Sequence, residues 1–184
     1  PIWRKEQEQV LVTESATALE RELKAAGLRV KLDLRDNYSP GFKFNDWEMR
    51  GVPLRIEIGP RDVQNGQLVL ARRDVPGREG KRSIERAGAA AAIQQTLTEI
   101  QANLLARATA FRDANILDVS SYAEMKEVLD GPGGFCRVCA DEDRIKEETK
   151  ATIRCLPLEQ PEGRGVCFYT GRPAARVAIF GRAY

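Results

Sequence analysis

The sequence predicts an α/β fold with a mixed sheet flanked by helices, followed by a small α+β domain at the C-terminus. Two observations predict the first part: apolar residues recur at helical spacing in some segments and at every second position in others. A third observation predicts the second part, because the composition changes near residues 116–121 and all four cysteines follow this point. We therefore expect two domains, 1–117 and 118–184.

The first domain opens with a predicted helix and a predicted strand. Apolar residues from Val12 to Ala26 follow one another at steps of four and three, and Gly27 supplies a C-terminal cap. Residues 28–35 then alternate four apolar with four charged side chains. Such alternation is typical of a strand with one buried and one solvent-exposed face.

A short helix and a hairpin come next. The helix is predicted from Phe42 to Arg50, where Gly51 ends it. Residues 52–58 and 67–71 are predicted strands, since both carry apolar residues between turn signals. The two strands are expected to form a hairpin with a long loop.

The remainder of the chain contains a basic segment, a long helix and a second set of short elements. Residues 72–86 hold six basic side chains and are predicted to form a mobile loop. From Ile93 to Phe111, steps of four and three predict a long amphipathic helix that closes the first domain. The second domain is expected to combine short strands with helices at 122–129 and 141–150.

Charge and composition exclude several classes of function. The net charge is only +2, which excludes a histone-like or polybasic binder, and we expect no DNA partner. No run approaches the roughly 18 apolar residues of a membrane span, and the N-terminus carries neither a signal nor a transit pattern. We therefore expect a cytoplasmic protein without a membrane partner.

Histidine is absent, which excludes an imidazole base, and no phosphate-binding loop or nucleophile motif occurs.

The cysteines are the candidate metal ligands, spaced as C-x2-C-x15-C-x11-C at Cys136, Cys139, Cys155 and Cys167. A tetrahedral zinc site typically uses two thiolate pairs, each on a tight turn. Only the first pair has that spacing, since Leu158 and Thr170 stand where partners of the later cysteines would fall. Two interpretations stay open: four free thiols in a small core, which the missing second pair favours, or a zinc site.

Aromatic and charged residues of the first domain are the candidate RNA contacts. Phe44 and Trp47 can stack on unpaired bases, and they fit core packing equally well. On the following strand, Arg55 and Glu57 carry donors and acceptors suited to base edges, or they form a solvated, salt-bridged face. The basic segment from Arg72 onward offers positive charge for phosphates.

Three stretches resemble the archaeal/eukaryotic-like type of prolyl-tRNA synthetase: PIWRKE at the start, GFKFNDWEMRGVPLRIEIGPRD in the middle and RIKEETKATIRC near the end. The resemblance covers essentially all 184 residues. It implies a class II anticodon-binding domain followed by the zinc-binding-like domain of the family, here with an altered cysteine spacing. It also implies that the catalytic domain of the family is not among these residues.

By this resemblance the first domain recognises the proline anticodon, whose second and third bases are guanines. Glu57 is then the candidate reader of a guanine edge. The residues expected around it are Lys43, Phe44, Trp47, Glu48, Arg55, Arg61 and Arg72. Tyr184 stands at the position of the family's C-terminal tyrosine, whose carboxylate lies toward the catalytic domain, so it is the candidate interdomain contact.

The function that the resemblance implies is tRNA recognition for a proline–tRNA ligase. The catalytic domain would use ATP to attach proline to proline tRNA, and no residue of the present chain would be catalytic. The parent enzyme is expected to be a homodimer in which the catalytic domain is a partner of this region. The alternative is a stand-alone anticodon-binding-type module that binds RNA or protein without catalysis.

Overall fold

A computed structural model describes residues 1–3, 5–139, 143–160, 165–174 and 176–183 of the chain. The chain forms two compact units, Pro1–Ala106 and Arg107–Tyr184, and the predicted fold class is confirmed. The domain boundary near residue 117 stays a prediction, since the two units divide within a single long helix. No helix in the described part of the chain is long and apolar enough to span a membrane.

Two long amphipathic helices of the first unit are confirmed as α1, Glu6–Ala25, and α4, Ala89–Ala114. The buried side chains of α1 repeat at helical spacing: Val12, Ala16, Leu19 and Leu23. Gly27 follows α1 with φ of +81°, a left-handed conformation that glycine adopts without steric cost. The apolar stripe of α4 is buried at Ile100 and exposed at Phe111.

Helix α2, Pro40–Met49, confirms the predicted short helix. The hydroxyl of Ser39 accepts the backbone amide of Phe42 at 3.3 Å, which caps one of the free donors at the helix start. Pro40 occupies the first helical position, where its missing N–H is not needed. The sequence therefore fixes where α2 begins, and this start orients the aromatic residues that follow.

The sheet of the first unit has three antiparallel strands, in the order β1 (Leu54–Glu57), β2 (Gln67–Arg72) and β3 (Lys81–Glu85). The hairpin of β1 and β2 is confirmed, and its loop contains the short helix α3, Pro60–Asn65. Arg55 of β1 and Lys81 of β3 both lie opposite Ala71 of β2. Because opposed residues in a sheet share a face, Arg55, Glu57 and Lys81 project from the same side.

The predicted strand at residues 28–35 is wrong, because these residues join no sheet in the described part of the chain. The predicted burial holds over residues 28–32, where Leu28, Val30 and Leu32 are half-buried against the core. It is wrong at Leu34, which is 46% exposed. Alternation determines which side chains are buried, whereas a strand also requires a hydrogen-bonded neighbour. Such a neighbour is missing among the described residues.

The predicted mobile loop at residues 72–86 is also wrong, because five of its residues form β3. Strand β3 is almost entirely exposed, so pairing with β2 rather than apolar burial holds it in place. The turn before it requires glycine at position 80, since a Cβ atom there would collide with the carbonyl oxygen of Val75. The basic residues of this segment are therefore positioned by the sheet.

The described residues of the second unit form the strands β4 (Ile116–Asp118), β5 (Phe135–Cys139), β6 (Ala151–Cys155), β7 (Gly165–Val166), β8 (Pro173–Ala174) and β9 (Val177–Arg182). Strand order β4-β5-β9-β6 gives a mixed sheet in which only β4 and β5 are parallel, and β7 pairs with β8. The predicted helices appear as α5, Tyr122–Asp130, and α6, Asp143–Thr149, with residues 141 and 142 outside the described residues. Met125, Ile145 and Phe180 are fully buried in the core.

Candidate nucleic-acid interface

Helix α2 presents its candidate contact residues in two neighbouring rows. Phe44 and Glu48 are four residues apart, and so are Lys43 and Trp47. Side chains at this spacing lie on the same side of a helix, so each pair forms its own row. The structure places Phe44 and Glu48 in one network and Trp47, without Lys43, in another.

The first network, called the Glu57 cluster below, consists of Phe44, Glu48, Arg55, Glu57 and Lys81. Glu57 Oε1 accepts a hydrogen bond from Arg55 Nε at 3.0 Å, and Glu57 Oε2 accepts one from Lys81 Nζ at 2.9 Å. Arg55 also donates from Nη1 to Glu48 Oε1 at 2.8 Å. Two carboxylates thus offset two cations on one face of the sheet.

The ring of Phe44 supports the cations of the Glu57 cluster. The guanidinium carbon of Arg55 lies 3.9 Å from the ring centroid, and Lys81 Nζ lies 5.9 Å from it. Arg55 therefore occupies a ring face that an unpaired base would otherwise use. Its guanidinium group offers a stacking surface in place of the ring, which is an established way for proteins to hold unpaired bases.

The second network, called the Asp33 network, consists of Asp33, Arg35, Asp46, Trp47 and Arg50. Asp33 Oδ1 accepts the backbone amide and Nε of Arg35 at 3.1 and 3.0 Å. Asp33 Oδ2 accepts Arg35 Nη2 at 2.7 Å and Trp47 Nε1 at 2.8 Å. These four bonds use the full acceptor capacity of a carboxylate.

Hydrogen bonds from Arg35 are the largest reason why the pKa of Asp33 lies well below its ordinary value. Arg35 also donates to Asp46 Oδ2 at 2.8 Å, and Arg50 donates to Asp46 Oδ1 at 3.0 Å. The network therefore ties the segment after α1 to helix α2. Trp47 belongs to this tie, and its predicted contact with RNA stays a prediction.

Three other predicted contact residues lie outside the Glu57 cluster. Lys43 is buried, with Nζ 5.9 Å from the ring centroid of Trp3. Arg61 is exposed in α3. Arg72 donates twice to Asp74, at 3.0 and 2.8 Å, and once to Glu99 of α4 at 3.1 Å. The roles of Lys43, Arg61 and Arg72 in RNA binding stay predictions.

Lys81 is the member of the Glu57 cluster that the sequence did not single out as a site residue. Strand β3 has the sequence KRSIE, in which Ile84 is the one apolar residue, so its alternation is too weak to signal a strand. The cross-strand register, which places Lys81 level with Arg55, is needed to bring it to the carboxylate of Glu57. The separation of the two α2 rows could have been read from the four-residue spacing alone.

The four cysteines differ in burial and in direction, and zinc binding by them stays a prediction. Cys136 and Cys167 are buried in the core, Cys139 is half-buried and Cys155 is exposed. Cys136 and Cys139 are three residues apart on β5, an odd offset that directs side chains toward opposite faces of a strand. Burial also raises the pKa of the Cys136 thiol, which opposes the thiolate form that zinc requires. Across the described ranges, no three Cys, Asp or Glu side chains are grouped to hold a metal ion.

Tyr184, the candidate interdomain residue, lies outside the described residues. Arg182, two positions before it, donates to the carbonyl oxygens of Thr149 and Leu129 at 2.7 and 2.8 Å. Its Nη2 also lies 2.6 Å from the carboxylate of Asp130. The end of β9 is therefore fixed to the carboxyl ends of α5 and α6.

Comparison with known proteins assigns both parts of the chain. Residues 4–96 match the family model described as anticodon binding domain, and residues 122–184 match the model described as prolyl-tRNA synthetase, C-terminal. The chain is 50% identical to the chloroplastic/mitochondrial proline–tRNA ligase of Arabidopsis thaliana and 50% identical to the proline–tRNA ligase of Chloroflexus aurantiacus. It is 46% identical to the proline–tRNA ligase of Rubrobacter xylanophilus.

These matches include the whole of the present chain and only part of each relative. The chain spans 35% of the Arabidopsis protein, 39% of the Chloroflexus protein and 38% of the Rubrobacter protein. The Glu57 cluster and the Asp33 network both fall inside the range of the anticodon-binding model, and the four cysteines fall inside the range of the C-terminal model.

Proposed function

The chain belongs to the anticodon-binding domain family, and from this membership we propose that it recognises the anticodon of proline tRNA as part of a proline–tRNA ligase. The observation that carries the proposal is the unused acceptor capacity of Glu57. Its Oε2 accepts only from Lys81 within the described residues, and the Lys81 side chain is 40% exposed. A carboxylate oxygen can accept a second N–H donor there.

The chemistry of Glu57 suits a guanine. The Watson–Crick edge of guanine presents N–H donors, and a carboxylate that accepts them forms a charge-assisted hydrogen bond. Arg55 is held in place by Phe44, Glu48 and Glu57, so its guanidinium group is oriented before RNA binds. We assign Glu57 to reading a guanine edge and Arg55 to stacking on an adjacent base.

Exposed cations next to the Glu57 cluster would contact phosphates. Lys81 has a compact charge that can leave the carboxylate of Glu57 for a phosphate at little geometric cost. Arg61, exposed in α3 directly after β1, is the second candidate. Such contacts contribute affinity for every tRNA and carry no information about sequence.

In this proposal, catalysis is carried out by a longer protein of which this chain is a part. In this proposal a catalytic domain outside these residues uses ATP to attach proline to the tRNA, and the parent enzyme is a homodimer. We place this enzyme in a reducing compartment such as the cytoplasm, since four cysteines are too few for a disulfide scaffold. A native gene product that contains only these 184 residues would instead favour a stand-alone module that binds RNA without catalysis.

Binding assays with two tRNAs test the proposal. One is proline tRNA, and the other is the same tRNA with both anticodon guanines changed to adenine. Glu57→Ala should weaken binding of proline tRNA by about 1–3 kcal/mol and reduce discrimination between the two tRNAs. The matched control is Glu22→Ala, which removes a glutamate that pairs with Arg86 at 2.6 Å outside the cluster and should change neither value. Equal losses for both tRNAs with Glu57→Ala would contradict the assignment.

A further inference from the structure

Strand β3 carries Lys81 into the Glu57 cluster, although its own sequence offers little apolar surface to hold it in place. Four of its five residues are exposed, and Ile84 is the residue that packs against the core of the first unit. Among the described strands only β2 pairs with β3. Because a segment with few buried apolar contacts opens easily, β3 needs a further attachment to keep a fixed position.

Arg82 supplies such an attachment on the side of the sheet opposite to Lys81. Neighbouring residues of a strand point to opposite faces. Lys81 lies on the face of the Glu57 cluster, whereas Arg82 lies opposite Leu70 of β2, a buried core residue. On that side, Arg82 Nη2 donates a hydrogen bond to Thr96 Oγ1 of α4. The strand is therefore attached to a helix on one side while its other side presents Lys81.

Thr96 is well suited to accept this hydrogen bond. Its side chain is fully buried, and its hydroxyl donates to the carbonyl oxygen of Ala92, one turn earlier in α4, at 2.6 Å. Because that bond uses the single hydroxyl proton, the oxygen acts toward Arg82 as an acceptor. A charge-assisted hydrogen bond to a buried acceptor is stronger than the same bond in water. The helix thus fixes the position at which Arg82 is held.

Two further hydrogen bonds attach α4 to the segment that leads into β3. Arg72, at the end of β2, donates to Glu99 at 3.1 Å, and Asn103 donates to Asp74 at 2.6 Å. Thr96, Glu99 and Asn103 are spaced by three and four residues, so they lie along one side of α4. The helix therefore holds both the end of β2 and the start of β3.

We propose that Arg82, through its hydrogen bond to Thr96, is a positioning residue for Lys81 and thereby sets how strongly the first unit holds an RNA phosphate. The inference rests on the proposed function, in which Lys81 leaves Glu57 for a phosphate. Lys81 Nζ lies 2.9 Å from Glu57 Oε2, so a fixed β3 keeps its charge beside the recognition carboxylate. A strand that opens freely must be ordered again when RNA binds, and this ordering lowers affinity.

Substitution of Thr96 tests the proposal without changing any charge. Thr96 is fully buried, so it cannot contact RNA itself. Thr96→Val keeps the branched shape and removes the acceptor, Thr96→Ala removes it without a bulky replacement, and Thr96→Ser keeps the hydroxyl. The matched control is Thr98→Val, because Thr98 donates to the carbonyl oxygen of Gln94 in the same way at an exposed position of α4.

The salt dependence of proline tRNA binding by the full 184-residue chain reports the phosphate contact. Thr96→Val and Thr96→Ala should reduce the slope of log binding constant against log salt concentration by about half a unit or more, toward the slope of Lys81→Gln. Thr96→Ser and Thr98→Val should keep the original slope. Thr96→Val combined with Lys81→Gln should have the slope of Lys81→Gln alone, since a residue that acts through Lys81 has no effect in its absence.

An original slope in both variants that lack the hydroxyl, together with the expected reduction in Lys81→Gln, would overturn the inference and leave the proposed function intact. Additive reductions in the double variant would show that Thr96 acts independently of Lys81 and would also overturn the inference. An original slope in Lys81→Gln would contradict the phosphate contact of the proposed function, and the inference would fall with it.

Discussion

The Asp33 network and the Glu57 cluster are built from the same kinds of residues and differ in how many further hydrogen bonds their central carboxylates can accept. The central carboxylate is 12% exposed in both. Asp33 accepts four hydrogen bonds from Arg35 and Trp47, so its acceptor capacity is full. Glu57 accepts from Arg55 and from an exchangeable lysine, and one oxygen retains capacity. Burial alone therefore does not distinguish a carboxylate whose acceptor capacity is full from one that can accept a further hydrogen bond.

The partners explain the difference in role. Arg35 is planar and bidentate and bridges two carboxylates, so its removal would release a segment of the chain from α2. Lys81 is a single point charge on a flexible stem at the exposed side of its cluster. The first arrangement ties two segments together, and in the proposed function the second exchanges partners when RNA binds.

The largest effect on stability is expected from Asp33→Ala. The substitution leaves the indole N–H of Trp47 and the guanidinium of Arg35 without their main acceptor. The free energy of unfolding should fall by about 1–3 kcal/mol, measured by urea denaturation. The control Asp36→Ala removes an exposed aspartate from the same segment and should change stability little. A loss no larger than that of the control would show that the network is not structural.

A smaller effect, on binding only, is expected from Lys81→Gln. Loss of one phosphate contact should weaken all tRNAs similarly and reduce the salt dependence of binding by about one unit of slope. Lys24→Gln, which removes a helix ion pair with Glu20, should leave the slope unchanged. A change in tRNA discrimination instead of a change in slope would place Lys81 among the base-reading residues.

The dependence of stability on pH extends the comparison to Asp74, a second carboxylate that accepts several hydrogen bonds from side chains of the same unit. Hydrogen bonds from Arg72 are the largest cause that lowers the pKa of Asp74 from 3.8 to about 2, with a further bond from Asn103. Because the folded state has the lower pKa, the stabilisation is present above about pH 4 and is lost as the pH falls through about 2. Asp74→Asn should therefore be less stable at pH 7 and lose less stability on acidification. A parallel pH profile for the variant and the wild type would contradict this assignment.

The smallest effect is expected from metal removal. Since the cysteines of the second unit are not grouped as ligands in the described residues, a chelator should leave Tm unchanged and elemental analysis should find no stoichiometric zinc. About one zinc per chain, with loss of structure on thiol modification, would show that the cysteines do form a zinc site.

Sequence patterns predicted the helices well because burial of one face imposes a period. The stripe of α1 is buried where it was predicted. Helix α2 begins at Pro40, two residues before the predicted start, because Ser39 caps it. The pairing of strands was less predictable from the sequence than the helices were. Residues 28–32 have the burial of a strand without a paired strand among the described residues, while β3 is paired despite an almost entirely polar sequence. Local alternation reports on side-chain burial and not on whether another strand is available.

The sequence predicted most residues of the candidate site but not which of them contact one another. Phe44, Glu48, Arg55 and Glu57 do come together. Lys43 and Trp47 were grouped with them because they are close in sequence, yet they lie in the neighbouring helical row. Lys81 joins the cluster only through the three-strand register, which no local pattern encodes.

A crossed pair of variants tests the central claim most directly. Glu57→Gln and Asp33→Asn are compared for stability and for the ratio of dissociation constants between proline tRNA and the same tRNA with its second anticodon guanine changed to adenine. The account predicts that Glu57→Gln reduces this ratio by about tenfold with little change in stability. It predicts that Asp33→Asn lowers stability by about 1 kcal/mol or more and leaves the ratio intact. An unchanged ratio in Glu57→Gln, or a reduced ratio in Asp33→Asn alone, would contradict the assignment of recognition to the Glu57 cluster.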